Sequence, residues 1–121
     1  LMKNEFTNDV SLKNDRNAIR QAIMNLVLTR RGEKPFNRNF GVGLHDLLFE
    51  SPSPSDLQRL EMDIIHQVAL REPRATVESV DFDTSKMDSN EFTATINYVV
   101  HGGTQAEPIS DSLRIEITKV R

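Results

Sequence analysis

The apolar residues of this chain change period once, at Pro73, and that change limits its fold more than any other feature. Ahead of Pro73 they recur at helical spacing, and behind it they alternate. Asn14-Asp15 offers an N-cap, after which Ala18, Ile19, Ala22, Ile23, Leu26 and Val27 fill one half of a helical wheel until Gly32 supplies a stop. Ser53, Pro54 and Asp56 have the order of a capping box with proline at the first helical position. Leu57, Leu60, Ile64, Ile65 and Val68 then form one stripe, and the helix must end at Glu72 because Pro73 disfavours helical geometry just before it.

Beyond Pro73, Val77 to Thr84 reads as an irregular strand, since Val77 and Val80 share a face only across a β-bulge. From 91 to 100, Phe92, Ala94, Ile96, Tyr98 and Val100 alternate with Thr93, Thr95 and Asn97. From 109 to 120, Leu113, Ile115 and Ile117 alternate with Ser112, Arg114, Glu116 and Thr118. Asp88-Ser89-Asn90 and the segment from His101 to Pro108 are the turns. The pattern predicts one α+β domain over 1–121, with an N-terminal arm at 1–13, a helical part at 14–72 and a sheet at 75–121. Two main helices pack on an antiparallel three-stranded meander, which becomes four-stranded if residues 6–12 pair with its edge. In this arrangement 91–100 is central. The bulge, Asp81 and Asp83 blunt one edge, whereas 109–120 contains no Pro or Gly and is an open edge.

Between the helices, residues 33–43 have no period and read as a long loop pinned by Phe36 and Phe40, with a helical turn or two at Leu44, Leu47 and Leu48. Met24 and Leu28 fall on the polar side of the first helix, so a second neighbour is expected there, either this loop or another subunit. With no Trp, one Tyr and 6 Phe among 121 residues, the core is thin and stability is expected to lean on partners.

A chain with no Cys has neither disulfides nor thiolate chemistry, which fits a reducing compartment such as the cytoplasm. Leu1 to Glu5 leads into a polar stretch without a signal-peptide core, and no run approaches the roughly 20 apolar residues of a membrane span. Neither export nor membrane insertion is expected. A net charge of −3 argues against nucleic acid as the main partner. The charge is uneven: Lys13, Arg16, Arg20, Arg30, Arg31, Lys34 and Arg38 make the first third basic, and Asp46, Glu50, Asp56, Glu61, Asp63, Glu78, Asp81 and Asp83 make the middle acidic. Two solvated faces, or two charge-matched docking faces, account for this.

The usual marks of catalysis are missing. His45, His66 and His101 are isolated, so no metal site is expected, and Gly41-Val42-Gly43 lacks the Lys-Ser/Thr of a phosphate loop. Carboxylate pairs for glycoside hydrolysis are available, but the aromatic residues that would line a sugar cleft are mostly assigned to the core. No catalytic residue, cofactor or small-molecule substrate is assigned. The unusual local feature is Arg71-Glu72-Pro73-Arg74. A carboxylate at a helix C-terminus opposes the helix dipole, so Glu72 calls for a cation, either Arg74 or a basic residue of another chain. Read as exposed charges, Glu72 and Arg74 are expected to add little to the stability of the monomer.

These segments resemble the baseplate wedge family of contractile-tailed phages, which is shared with the type VI secretion baseplate and was once labelled a tail lysozyme. The resemblance rests on Asn17-Ala18-Ile19-Arg20, Thr29 through Phe36, Phe40-Gly41, Leu44, Leu47-Leu48-Phe49-Glu50 and Glu72-Pro73-Arg74. It implies a scaffold subunit, made in the host cytoplasm and resident in the virion tail baseplate, whose partners are other wedge subunits and the tail sheath protein. It ties Glu72, Pro73 and Arg74 to assembly, and less securely the basic residues Arg30, Arg31 and Arg38. Met24 and Leu28, together with the strand carrying Leu113, Ile115 and Ile117, complete the expected docking positions, the strand serving for sheath addition. A peptidoglycan hydrolase is the alternative, and a free-standing regulatory binding domain is a third reading.

Overall fold

The computed structural model describes residues 5–30, 32, 41–44, 52–101 and 108–118, with the backbone alone for 5–15 and 87. Helix α1 runs Glu5–Leu28, so it passes through the expected cap at Asn14-Asp15. The 1–13 arm is therefore helical from Glu5 and is not a fourth strand. No Gly or Pro interrupts the run, and nothing local stops the helix from extending toward the N-terminus. At its other end the Thr29 N–H reaches the Asn25 carbonyl at 3.0 Å, and Gly32 follows at φ +89°, the expected stop. Ile19, Ile23, Leu26 and Val27 are buried, whereas Ala18 is exposed.

Residues 41–44 lie against the end of α1. Val42 donates to the Leu26 carbonyl and Gly43 to the Thr29 carbonyl, at 3.1 and 2.9 Å. Gly41 has φ +105°, and a Cβ there would stand 2.5 Å from the Thr29 carbonyl oxygen, so only glycine fits. Val42 and Leu44 are buried in the main core. Phe36, Phe40, Leu47 and Leu48 lie outside the described residues.

Helix α2 spans Pro54–Arg71 with the expected capping box. The Ser53 hydroxyl accepts the Asp56 N–H at 3.2 Å, and the Asp56 carboxylate accepts the Ser53 N–H at 2.9 Å. The Ser53 amide first, and then the Ser53 side chain, hold the Asp56 carboxyl below its ordinary value. Leu60, Ile64 and Val68 are buried and Leu57 and Ile65 partly so, which is the stripe read from the sequence.

Strands β1 (Ala75–Asp83), β2 (Glu91–Val100) and β3 (Ile109–Thr118) form an antiparallel sheet in the order β1-β2-β3. The pairing slips between Val77 and Ser79, so Glu78 is extra and both Val77 and Val80 turn to the core. One 3-10 turn at Met87–Ser89 and Asn90 at φ 60° connect β1 to β2. On β2, Phe92, Ala94, Ile96, Tyr98 and Val100 are buried in strict alternation. They meet the helices together with Leu113, Ile115 and Ile117, and the opposite face of the sheet is polar.

Candidate partner interface

At the α2–β1 corner, Glu72 is the C-cap residue with φ −134° and ψ 78°. Its amide still donates to the Val68 carbonyl at 2.8 Å, and its own carbonyl accepts the Ala75 N–H at 3.1 Å. The Glu72 side chain is not an exposed charge: the residue is 8% exposed. Arg74, half exposed, grips its carboxylate in a fork, Nε to Oε1 at 2.7 Å and Nη2 to Oε2 at 3.1 Å. The cation required by the helix dipole thus comes from two residues away. That guanidinium, against the opposing effect of burial, holds the Glu72 carboxyl below its ordinary value. Pro73 is exposed between them. The Arg74 carbonyl accepts the His101 N–H at 2.7 Å, which fastens the corner to the end of β2.

The two sheet edges differ. On β1 the Val80 N–H points away from β2 and is accepted by the Glu61 carboxylate of α2 at 2.7 Å. Asp81 and Asp83 are exposed; Asp81 accepts from the Asn97 amide at 3.0 Å, and Asp83 accepts from Ser85. This edge is capped, bulged and acidic, all of which disfavour strand pairing. On β3, Leu113, Ile115 and Ile117 are 1%, 6% and 5% exposed. Their side chains belong to the chain's own core, and what the strand turns outward is main chain.

Helix α1 reaches β3 through charge. Arg16 lies 3.6 Å and Arg20 3.9 Å from the Asp111 carboxylate, and Arg20 Nη1 donates to the Ser112 carbonyl at 2.8 Å. The buried Tyr98 hydroxyl donates to Asp111 at 3.2 Å, and burial is the main cause that raises its pKa. Burial also pushes the Asp111 carboxyl upward, but the Ser112 amide, Tyr98, Arg16 and Arg20 together leave it below its ordinary value. Neither the Glu61 cap nor the Arg20 contact was expected. The only sequence signal for the second is that Arg16 and Arg20 stand one turn apart on a helix.

Among the other expected docking positions, Met24 packs against the chain's own core and Leu28 is 39% exposed. Arg30 is exposed, and Arg31 and Arg38 lie outside the described residues. The structure brings Glu72, Pro73 and Arg74 together at one corner. Met62 and Leu70, 64% and 61% exposed on α2, were not singled out in the sequence.

Comparison with solved structures finds the same fold in a protein from Geobacter sulfurreducens described provisionally as a tail lysozyme. The two superpose with a TM-score of 0.66 over 88% of this chain and 95% of that one, at 21% identity. At that identity the likeness concerns the fold and carries no activity. Baseplate wedge protein gp25 of Enterobacteria phage T4 is 34% identical over 73 residues, which are 60% of this chain and 55% of that protein, so the match spans about half of the relative. The model of the family described as baseplate wedge protein gp25 matches residues 13–105, a stretch that takes in α1 from residue 13 onward, the corner and β2, and the chain belongs to that family.

Proposed function

We propose that the chain is a structural, non-catalytic subunit of the baseplate of a contractile injection machine, assembled in the bacterial cytoplasm and kept in the tail. It joins other wedge subunits through the α2–β1 corner, and its β3 edge receives an extended segment of the first sheath ring. Family membership supports the baseplate role. The observation that carries the sheath contact is the contrast between the edges: β1 is capped by Glu61 and bulged, whereas β3 is long, regular and unbulged. A strand laid on such an edge gains backbone hydrogen bonds without needing matched side chains.

The hydrolase reading has a specific difficulty. A glycosidase needs a carboxylic acid held above its ordinary pKa. Among the described residues, each carboxyl that departs from its ordinary value departs downward: Asp56, Glu72, Asp83 and Asp111. As a structural member of the baseplate wedge family, purified protein is expected to leave peptidoglycan turbidity unchanged at pH 5 to 7, and carboxylate-dependent clearing would refute the non-catalytic role. For the sheath contact the test is Glu116→Pro. Glu116 lies on the outward-facing set of β3, so proline removes an edge donor while leaving the ladder to β2 in place. The variant is expected to fold and to yield baseplates without sheath. Full-length sheaths on such baseplates would refute strand addition.

A further inference from the structure

The phase of the sheet decides which main-chain groups of β3 remain over. The bond from His101 N–H to the Arg74 carbonyl, one step beyond the Ala75↔Val100 pair, turns the main chain of Val99 toward β1 and that of Tyr98 and Val100 toward β3. Their partners Asp111 and Ile109, and in step with them Leu113, Ile115 and Ile117, bond inward. Ser110, Ser112, Arg114, Glu116 and Thr118 therefore point N–H and C=O at the open edge.

Ser112 is the exception within this row. Its N–H donates to Asp111 Oδ1 at 2.8 Å and its C=O accepts from Arg20 Nη1 at 2.8 Å, so both groups an added strand would use are occupied. The clamp is itself held, because Tyr98, Arg16 and Arg20 all converge on Asp111. Arg114 and Glu116 pair with each other through side chains at 3.4 Å, and no described residue bonds to the outward main chain of Arg114, Glu116 or Thr118.

We propose that the Arg20–Ser112–Asp111 clamp is a register stop for the partner strand. The proposal rests on the strand-addition reading above and specifies where along β3 that strand sits: it pairs over Arg114 to Thr118 and ends before Ser112. A stop is needed because the hydrophobic pattern alone leaves the register open. Slipping a strand by one residue reverses its faces and is strongly disfavoured, but slipping by two keeps every side chain on its face and moves the partner about 7 Å along the edge. With Ser112 occupied, the two-residue slip toward Ser110 would leave a donor and an acceptor of the incoming strand unpaired. The occupant is an extended segment of a partner chain with apolar residues beside Ile115 and Ile117 and polar residues on the outer face.

The absence of cysteine makes the test clean, since single Ser110→Cys, Arg114→Cys and Thr118→Cys variants each carry one thiol. Each is labelled with a short maleimide–diazirine, assembled into tails and irradiated. The register stop predicts partner capture at 114 and 118 and at least about tenfold less at 110. Adding Arg20→Ala should raise capture at 110 to within about twofold of that at 114. If Arg20→Ala lowers the melting temperature too far for assembly, Asp111→Ala removes the acceptor of the Ser112 amide and serves in its place. Capture at 110 as strong as at 114 in the parent chain, or unmoved by either variant, would overturn the stop and leave strand addition standing. No capture at any position would overturn strand addition and the stop with it.

Discussion

Replacing Arg74 should destabilise the protein more than replacing Glu72, although the two side chains share one ion pair. In Arg74→Ala the Glu72 carboxylate stays behind at 8% exposure, beside the C-terminal end of α2 and without its fork of donors. Leaving a buried charged acceptor unpaired costs about 1–3 kcal/mol, to which the opposed helix dipole adds about 0.3–1 kcal/mol. Arg74 is half exposed, so water screens the pair and the lower part of that range applies, about 2 kcal/mol in all. In Glu72→Gln no charge is left buried, because the guanidinium is half exposed. The lost pair, about 0–1 kcal/mol, is then largely offset by relief of the dipole, and the net change should be within about 0.5 kcal/mol. Urea unfolding at pH 7 measures both, provided the slope is shared. At this chain length 1 kcal/mol corresponds to roughly 3–6 °C in Tm. Glu72→Gln/Arg74→Ala should resemble Glu72→Gln, because no carboxylate remains to be left unpaired. If Glu72→Gln costs as much as Arg74→Ala, Glu72 is not held in the way described. Counting assembled tails for the same variants then separates docking from stability.

Further outcomes follow from the same geometry. Gly41→Ala should lose at least about 2 kcal/mol, because φ +105° and the Thr29 carbonyl both oppose a Cβ; Gly32→Ala, which meets open space, should lose less, and equal losses would contradict the close approach. Ser53→Ala should cost about 1 kcal/mol in thermal melts, and no change would mean that α2 is not capped by Ser53. Tyr98→Phe should cost about 1 kcal/mol and speed exchange of the Ser112 amide, whereas unaltered exchange would disconnect Tyr98 from the clamp. Acid should weaken the fold. Glu72 and Asp111 have folded pKa values below their unfolded ones, so their stabilisation is complete above the ordinary carboxylate range near pH 4 and is lost as pH falls through the lower folded values. Urea midpoints should drop below about pH 4, with a shallower drop in Glu72→Gln and Asp111→Asn; a midpoint that rises toward acid would reverse the sign.

What the sequence showed well was local in origin. The capping box needs only Ser53 and Asp56, the end of α2 needs only Pro73, and the bulge is implied by Val77 and Val80 standing three apart in an alternating stretch. The length of α1 was misjudged because Asn14-Asp15 looks like a cap yet sits inside a run with nothing to break it. The burial of Glu72 is not legible in the sequence because Pro73 and the flanking arginines read as surface, and burial there depends on how α2 lies on the sheet. The Glu61 cap and the Arg20 clamp join residues 19 and 92 positions apart, a separation at which side-chain spacing carries no information.

That last separation has a consequence for the order in which the molecule forms. From Pro54 to Thr118, α2 and the three strands follow one another, each bonded to its neighbour in the chain, so they can close through short loops. Helix α1 also packs on α2, but its contacts with β3 span more than 90 positions and must await a sheet that already exists. The contacts between α1 and β3 should then be absent from the folding transition state, and losing them should accelerate unfolding while leaving the folding rate unaltered. In stopped-flow chevrons Arg20→Ala should move the unfolding limb alone, whereas Ile96→Ala in the central strand should move both. A slower folding limb in Arg20→Ala would instead place α1 in the nucleus.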